Sequence, residues 1–195
     1  MTPTAGVQAD APTLRVACLL AAFASALALR LAVGGPGAPQ SPTAGLVFAG
    51  CLLAVTAAAG TRVPISRRAV RTGLAGGALV CAPVVLSHLL ELRPPHNTPG
   101  FWSWALVVTV VATAEEVFLR GSLYDALVEL AGSRWAIGVA AVAFALLHVP
   151  LYGWHVVPLD LAVGVVLGLL RSWSGTAAAP AVAHVVADLV GWFVR

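Results

Sequence analysis

Ionisable side chains lie inside three of the most apolar stretches of the chain, where no water is available to solvate a charge. The stretches read AEEVFLR at 114–120, FALLHVP at 144–150 and AHVVADL at 183–189. An ionisable group in the middle of a membrane costs roughly 2.5–3.5 kcal/mol on insertion scales, so it usually serves a function. These positions are therefore the first candidates for chemistry.

Helical spacing gives each of these stretches one polar side. Residues four apart are neighbours on the surface of a helix, so their side chains point the same way. Three pairs have this spacing: Glu116 with Arg120, Phe144 with His148, and His184 with Asp188. Burying the three polar sides in one shared cavity is the least costly arrangement, and it predicts that three helices meet there.

The residue types in such a cavity are those of water-dependent hydrolysis. A carboxylate and a neutral imidazole can hold a water molecule and remove its proton, and Glu115 and His148 supply these groups. A second imidazole, His184, can donate to the oxyanion that forms when the water attacks a carbonyl. These helices contain no Ser or Cys paired with a base, which argues against a covalent nucleophile.

Each pair also has a structural interpretation that stays open. Glu116 and Arg120 alone could be an ion pair that lowers the cost of both charges. His184 and Asp188 alone could form a hydrogen bond that packs helices.

For the whole chain the alternatives are a proton- or ion-coupled transporter using the buried carboxylates, or a catalytically silent membrane scaffold. The absence of a repeated pair of broken helices argues against the transporter.

The composition requires lipid as the solvent. Hydrophobic residues make up 59% and charged residues 10% of the 195 residues, and the mean hydropathy is +0.92. A soluble domain carries about 45–50% apolar and about 25% charged residues. The net charge of +3 comes from arginines that separate apolar runs and form no single patch, so we exclude nucleic acid as a partner.

The apolar runs predict an all-α, polytopic transmembrane bundle of about seven helices, because helices satisfy their own backbone in lipid. The runs lie at about 14–33, 44–60, 72–90, 101–130, 135–151, 156–171 and 176–194. Residues 1–13 are predicted to be a disordered tail, and 14–195 one transmembrane domain. A cleaved signal peptide is the rival for the first run, but its apolar character continues to Val33. The fourth run is longer than a membrane span, so we expect it to bend or leave the membrane after Arg120.

Arginine positions predict the orientation. The 61–72 loop carries four arginines and is expected to be cytoplasmic, in what we take to be a bacterial inner membrane. Alternation then places Arg15, Arg120, Arg134 and Arg171 on the cytoplasmic side, and Arg30, Arg93 and Arg195 on the other side. All six tryptophans fall near predicted helix ends, where interfacial belts favour them.

The three polar strings also match known motifs in order. EEVFLR, FALLH and HVVAD fit the patterns E-E-x-x-x-R, F-x-x-x-H and H-x-x-x-N/D. In this the chain resembles the CPBP family of intramembrane proteases, which includes CAAX-prenyl endoproteases and bacteriocin-processing relatives. The similarity covers about residues 60–194. It implies an endopeptidase that hydrolyses a peptide bond in a membrane-associated protein or peptide, with prenylated C-termini, leader peptides and sorting tails all possible substrates.

The resemblance also implies roles for the acidic and aromatic positions. The first glutamate of the motif corresponds to Glu115, which with His148 would activate the water. Glu116 and Arg120 would support that site, together with Phe144 of the second motif.

On the oxyanion side, the resemblance points to His184 and Asp188. Position 188 is Asp where many relatives have Asn, and an ionised Asp cannot donate to an oxyanion. We therefore expect Asp188 to orient His184, with a protonated, donating Asp188 as the alternative. We expect no cofactor, because no H-E-x-x-H pair lies on one helix. Zinc stays possible, and its ligands would be Glu115, His148 and His184.

Overall fold

The computed structural model of the chain describes residues 10–90 and 100–193, with side chains only as far as residue 86 in the first range. Within these ranges the chain forms helices and no strands, which confirms the predicted all-α bundle. The helices are α1 (Ala11–Gly34), α2 (Pro42–Ala58), α3 (Arg67–Leu90), α4 (Phe101–Glu116), a π-helical segment (Val117–Leu123), α5 (Tyr124–Ala131), α6 (Ser133–Tyr152), α7 (Val157–Ser174) and α8 (Ala178–Phe193).

The lengths of these helices fit an integral membrane protein. Five helical stretches in the described part of the chain are long and apolar enough to cross a membrane, and one of them is the 31-residue stretch Phe101–Ala131. The helices α2 and α8 are apolar but shorter, at 17 and 16 residues. Four tryptophans near helix ends are exposed, as expected of side chains at the lipid headgroups: Trp102, Trp135, Trp154 and Trp173.

The helices α1 and α3 begin about three and five residues earlier than the sequence predicted, in both cases because a polar side chain caps the first turn. Asp10 accepts a hydrogen bond from the backbone N–H of Thr13 at 3.1 Å, so α1 begins at Ala11 and residues 11–13, predicted to be part of the tail, are helical. Residues 1–9 lie outside the described residues. Ser66 accepts from the N–H of Ala69 at 3.1 Å, so α3 begins at Arg67. The predicted loop 61–72 is therefore a loop only at 61–66.

The predicted bend after Arg120 is instead a π-helical segment that runs through this residue. A π-helix bonds each N–H one residue further back than an α-helix, and its wider turn leaves carbonyls in need of partners. Arg171 of α7 supplies one: its Nε donates to the Arg120 carbonyl oxygen at 2.7 Å. Its Nη2 donates to Asp125 at 2.7 Å, and its guanidinium lies 4.9 Å from the Tyr124 ring centre.

Glycines allow close contact at two helix interfaces, that of α3 with α8 and that of α7 with α6. A Cβ built on Gly73 of α3 would lie 2.5 Å from the carbonyl oxygen of Ala179 in α8. A Cβ built on Gly164 of α7 would lie 2.9 Å from the Cα of Ala141 in α6. A side chain at either position would push these backbones apart, so the glycines set how near α8 and α6 approach.

The N-terminal helices pack onto the π-helical segment through aromatic rings. Phe23 of α1 stacks on Phe118 with ring centres 5.4 Å apart, and its ring lies 6.2 Å from that of Phe48 in α2. Phe48 and Phe118 are fully buried. This contact brings α1 and α2 against the stretch that carries the paired glutamates.

Candidate active site

A fully buried ion pair forms the centre of the polar cluster. Arg120 donates from Nη1 to Glu116 Oε1 at 2.7 Å and from Nη2 to the carbonyl oxygen of Gly164 at 3.1 Å. Its guanidinium lies 4.9 Å from the ring centre of Phe144. A carboxylate, a carbonyl and an aromatic face therefore stabilise Arg120 inside the bundle. Its predicted place towards the cytoplasmic side of the membrane stays a prediction.

His184 of α8 joins this cluster through the same carboxylate oxygen. Its Nδ1 lies 3.0 Å from Glu116 Oε1, which therefore contacts both the imidazole and Arg120. Its Nε2 lies 3.7 Å from Asp188 Oδ2, a distance suited to an ion pair and too long for a direct hydrogen bond. Glu116 is thus the carboxylate that holds the His184 ring, a role that we had expected of Asp188.

His148 of α6 also contacts the Phe144 ring. The ring centre of Phe144 is 4.8 Å from that of His148 and 5.3 Å from that of His184, both in edge contacts. The Nδ1 of His148 lies 3.0 Å from the carbonyl oxygen of Phe144 and 3.4 Å from Asp160 Oδ2 of α7. The aromatic residue of the second motif thus contacts both imidazoles.

Glu115 is buried beside the cluster and faces α1. Its Oε1 lies 3.8 Å from Nη1 of Arg30. The Arg30 side chain is only 8% exposed, so it lies inside the bundle. Its predicted place on the side of the membrane opposite the 61–72 loop stays a prediction. The guanidinium lies over the ring of Phe48, 5.3 Å from its centre.

The seven sequence-predicted residues occupy one region, with different degrees of direct contact. Glu116, Arg120, Phe144 and His184 contact one another, His148 joins through Phe144, and Asp188 lies next to His184. A water shared by Glu115 and His148 stays a prediction. The residues that we missed are Arg30 and Asp160. Both are charged side chains inside apolar runs, which is the signal that identified the others.

The sequence offers Glu115, His148 and His184 as possible zinc ligands. Across residues 10–90 and 100–193, no three His, Cys, Asp or Glu side chains come together as metal ligands would. His184 and His148 each direct Nδ1 to an oxygen of the protein, and Glu115 faces a guanidinium. In this arrangement Glu115, His148 and His184 face different partners, and we derive no step through a metal.

Comparison with known proteins gave one match. Residues 97–190 match a family described as type II CAAX prenyl endopeptidase Rce1-like. No curated protein and no solved structure matches the chain significantly. The matched residues include all three motifs, from Glu115 to Asp188, and the long apolar helices are those expected of a protease that works within a membrane. The match covers 94 of the 195 residues and supports the predicted resemblance to the CPBP family of intramembrane proteases.

Proposed function

We propose that the protein is an intramembrane endopeptidase that hydrolyses a peptide bond in a membrane-associated protein or peptide. The observation that carries the proposal is that carboxylates and imidazoles from α4, α6 and α8 gather around Phe144. They do so inside the bundle and inside the segment that matches an endopeptidase family. A substrate in the bilayer could reach such a site without first entering bulk water.

In the proposed first step, a water held between Glu115 and His148 attacks the carbonyl carbon of the substrate. A carbon–oxygen bond forms, the proton of the water passes to the Glu115 carboxylate, and the carbonyl becomes an oxyanion. In the second step, the carbon–nitrogen bond breaks and the leaving amine takes the proton back from Glu115. Glu115 therefore ends the cycle as a carboxylate.

His184 is proposed to stabilise the oxyanion. Glu116 holds the ring at Nδ1, so the other nitrogen, Nε2, is available to donate to the substrate oxygen. Asp188 lies 3.7 Å from Nε2 and would help to orient the ring. Arg120 supports this arrangement indirectly, because it fixes the Glu116 carboxylate that contacts His184.

The first test is cleavage of a defined peptide by purified protein in lipid nanodiscs. A peptide with a prenylated cysteine and a CAAX C-terminus is the first probe, because the matched family is described by that substrate class. Glu115→Gln should reduce cleavage by about 10²-fold or more if Glu115 is the base. Glu129→Gln is the matched control, since Glu129 lies at the protein surface in an exposed ion pair with Arg15.

The possible results separate the alternatives. A Glu115→Gln protein with full activity would contradict the role of Glu115 as base. The substrate class is tested in parallel by comparing the termini of membrane proteins in cells with the wild-type protein and with the variant. Identical termini in both cells, together with no cleavage of the peptide by the wild type, would favour a silent scaffold.

A further inference from the structure

We propose that Arg30 of α1 positions the Glu115 carboxylate, so that the N-terminal helix supplies part of the active site. The contact that supports this is between Nη1 of Arg30 and Oε1 of Glu115, 3.8 Å apart. Both side chains are buried, at 8% and 4% exposure. The proposal rests on the proposed function of Glu115 as the base.

The position of Arg30 needs an explanation, because an arginine near the end of a helix can usually extend its side chain to the membrane surface. Arg30 lies near the C-terminal end of α1, yet its guanidinium points inward and covers the ring of Phe48. Its Nε is buried and has no hydrogen-bond partner within the described ranges 10–90 and 100–193. Burial of a cation in this way is stabilised by the nearby carboxylate, which is that of Glu115.

The contact has a direct consequence for the base. Besides Arg30, the charged groups around Glu115 are Glu116 on its own helix, Arg120 on the π-helical segment, and His184 and Asp188 on α8. Helix α2, which also packs against α4, carries no acidic or basic side chain. Arg30 is therefore the cation that α1 brings to Glu115. A guanidinium on one carboxylate oxygen stabilises the ionised form that accepts a proton, and it fixes the direction of the second oxygen.

The helix that carries Arg30 lies outside the segment that matches the endopeptidase family. The family match covers residues 97–190, so Arg30 and the whole of α1 lie outside it. The aromatic contacts of Phe23 with Phe48 and Phe118 hold α1 against α2 and the π-helical segment. The packing of α1 through these rings thus holds Arg30 next to Glu115.

The experiment compares Arg30→Gln, Arg30→Lys and the control Arg15→Gln in the full-length protein in nanodiscs. Arg15 is on the same helix, but it forms an exposed pair with Glu129. With the prenylated CAAX peptide as probe, Arg30→Gln should lower kcat by about 10- to 100-fold at an unchanged KM, the size of effect expected when a reacting group is misplaced. Arg30→Lys should restore much of the loss because it keeps a cation, and Arg15→Gln should match the wild type.

A second measurement does not depend on cleavage. The unfolding midpoints of Arg30→Gln, Glu115→Gln and the double variant form a cycle, in which directly paired side chains give non-additive shifts. Additive shifts would overturn the proposal, even if the wild type does not cut this peptide. So would a raised KM at unchanged kcat, which would assign Arg30 to a substrate anion. Retained cleavage by Glu115→Gln would instead contradict the proposed function.

Discussion

Loss of the Arg120 side chain should cause one of the largest stability changes available in this protein. Arg120→Met removes a bond of 2.7 Å to Glu116 and one of 3.1 Å to the Gly164 carbonyl, and both members of the ion pair are fully buried. Removing one partner of a buried pair costs about 3–5 kcal/mol, because the other charge is left uncompensated. An exposed pair is worth about 0–1 kcal/mol, so Arg15→Met is the matched control.

The assay is equilibrium unfolding of the purified protein in mixed micelles, followed by circular dichroism as the denaturing detergent increases. Arg120→Met should lose about 3–5 kcal/mol and Arg15→Met no more than about 1 kcal/mol. The double variant Arg120→Met with Glu116→Leu should lose less than the sum of the single changes, because no unpaired charge stays buried. Equal, small losses in Arg120→Met and Arg15→Met would refute the view that this pair stabilises the bundle interior.

Three further predictions follow from the site and the packing. Asp188→Asn should lower peptide cleavage, because an amide cannot support an imidazolium at His184 as a carboxylate does; unchanged cleavage would contradict the orienting role. A cysteine at Ser66 should resist labelling from outside intact cells, and efficient labelling would reverse the proposed orientation. Gly73→Ala should destabilise the protein by about 1–3 kcal/mol, because its Cβ would meet a backbone carbonyl of α8. The control Gly50→Ala has no atom within 4 Å of the new Cβ and should be neutral or stabilising in the same unfolding assay.

The helical fold was predictable from the sequence because a backbone in lipid has to form its hydrogen bonds internally. A long apolar run in a membrane has to be helical, so the number and approximate bounds of the helices followed from composition alone. The exact starts did not, because Asp10 and Ser66 cap their helices through single hydrogen bonds that hydropathy does not register. The π-helical segment was also missed. The Arg120 carbonyl in this segment accepts a hydrogen bond from Arg171, which is on α7. The sequence of the fourth run alone does not reveal that partner.

The site was predictable where one helix carries both partners. The spacing of Glu116 and Arg120 predicted their pairing, and that of Phe144 and His148 predicted their ring contact. Contacts between helices depend on how each helix is rotated about its axis, which spacing along one run does not define. For this reason the contact of Glu116 with His184 and that of Arg30 with Glu115 could be seen only in three dimensions.

The π-helical segment has a consequence for comparing this chain with its relatives. Each of its backbone hydrogen bonds spans one residue more than in an α-helix while the flanking helices continue unbroken, so it can absorb a single-residue length difference. Each residue of an α-helix turns the chain by about 100°. An ungapped alignment to a relative that is α-helical at 117–123 would therefore pair either Glu116 or Tyr124 with a residue on a different side of the helix. A gap placed within this segment would keep both in register.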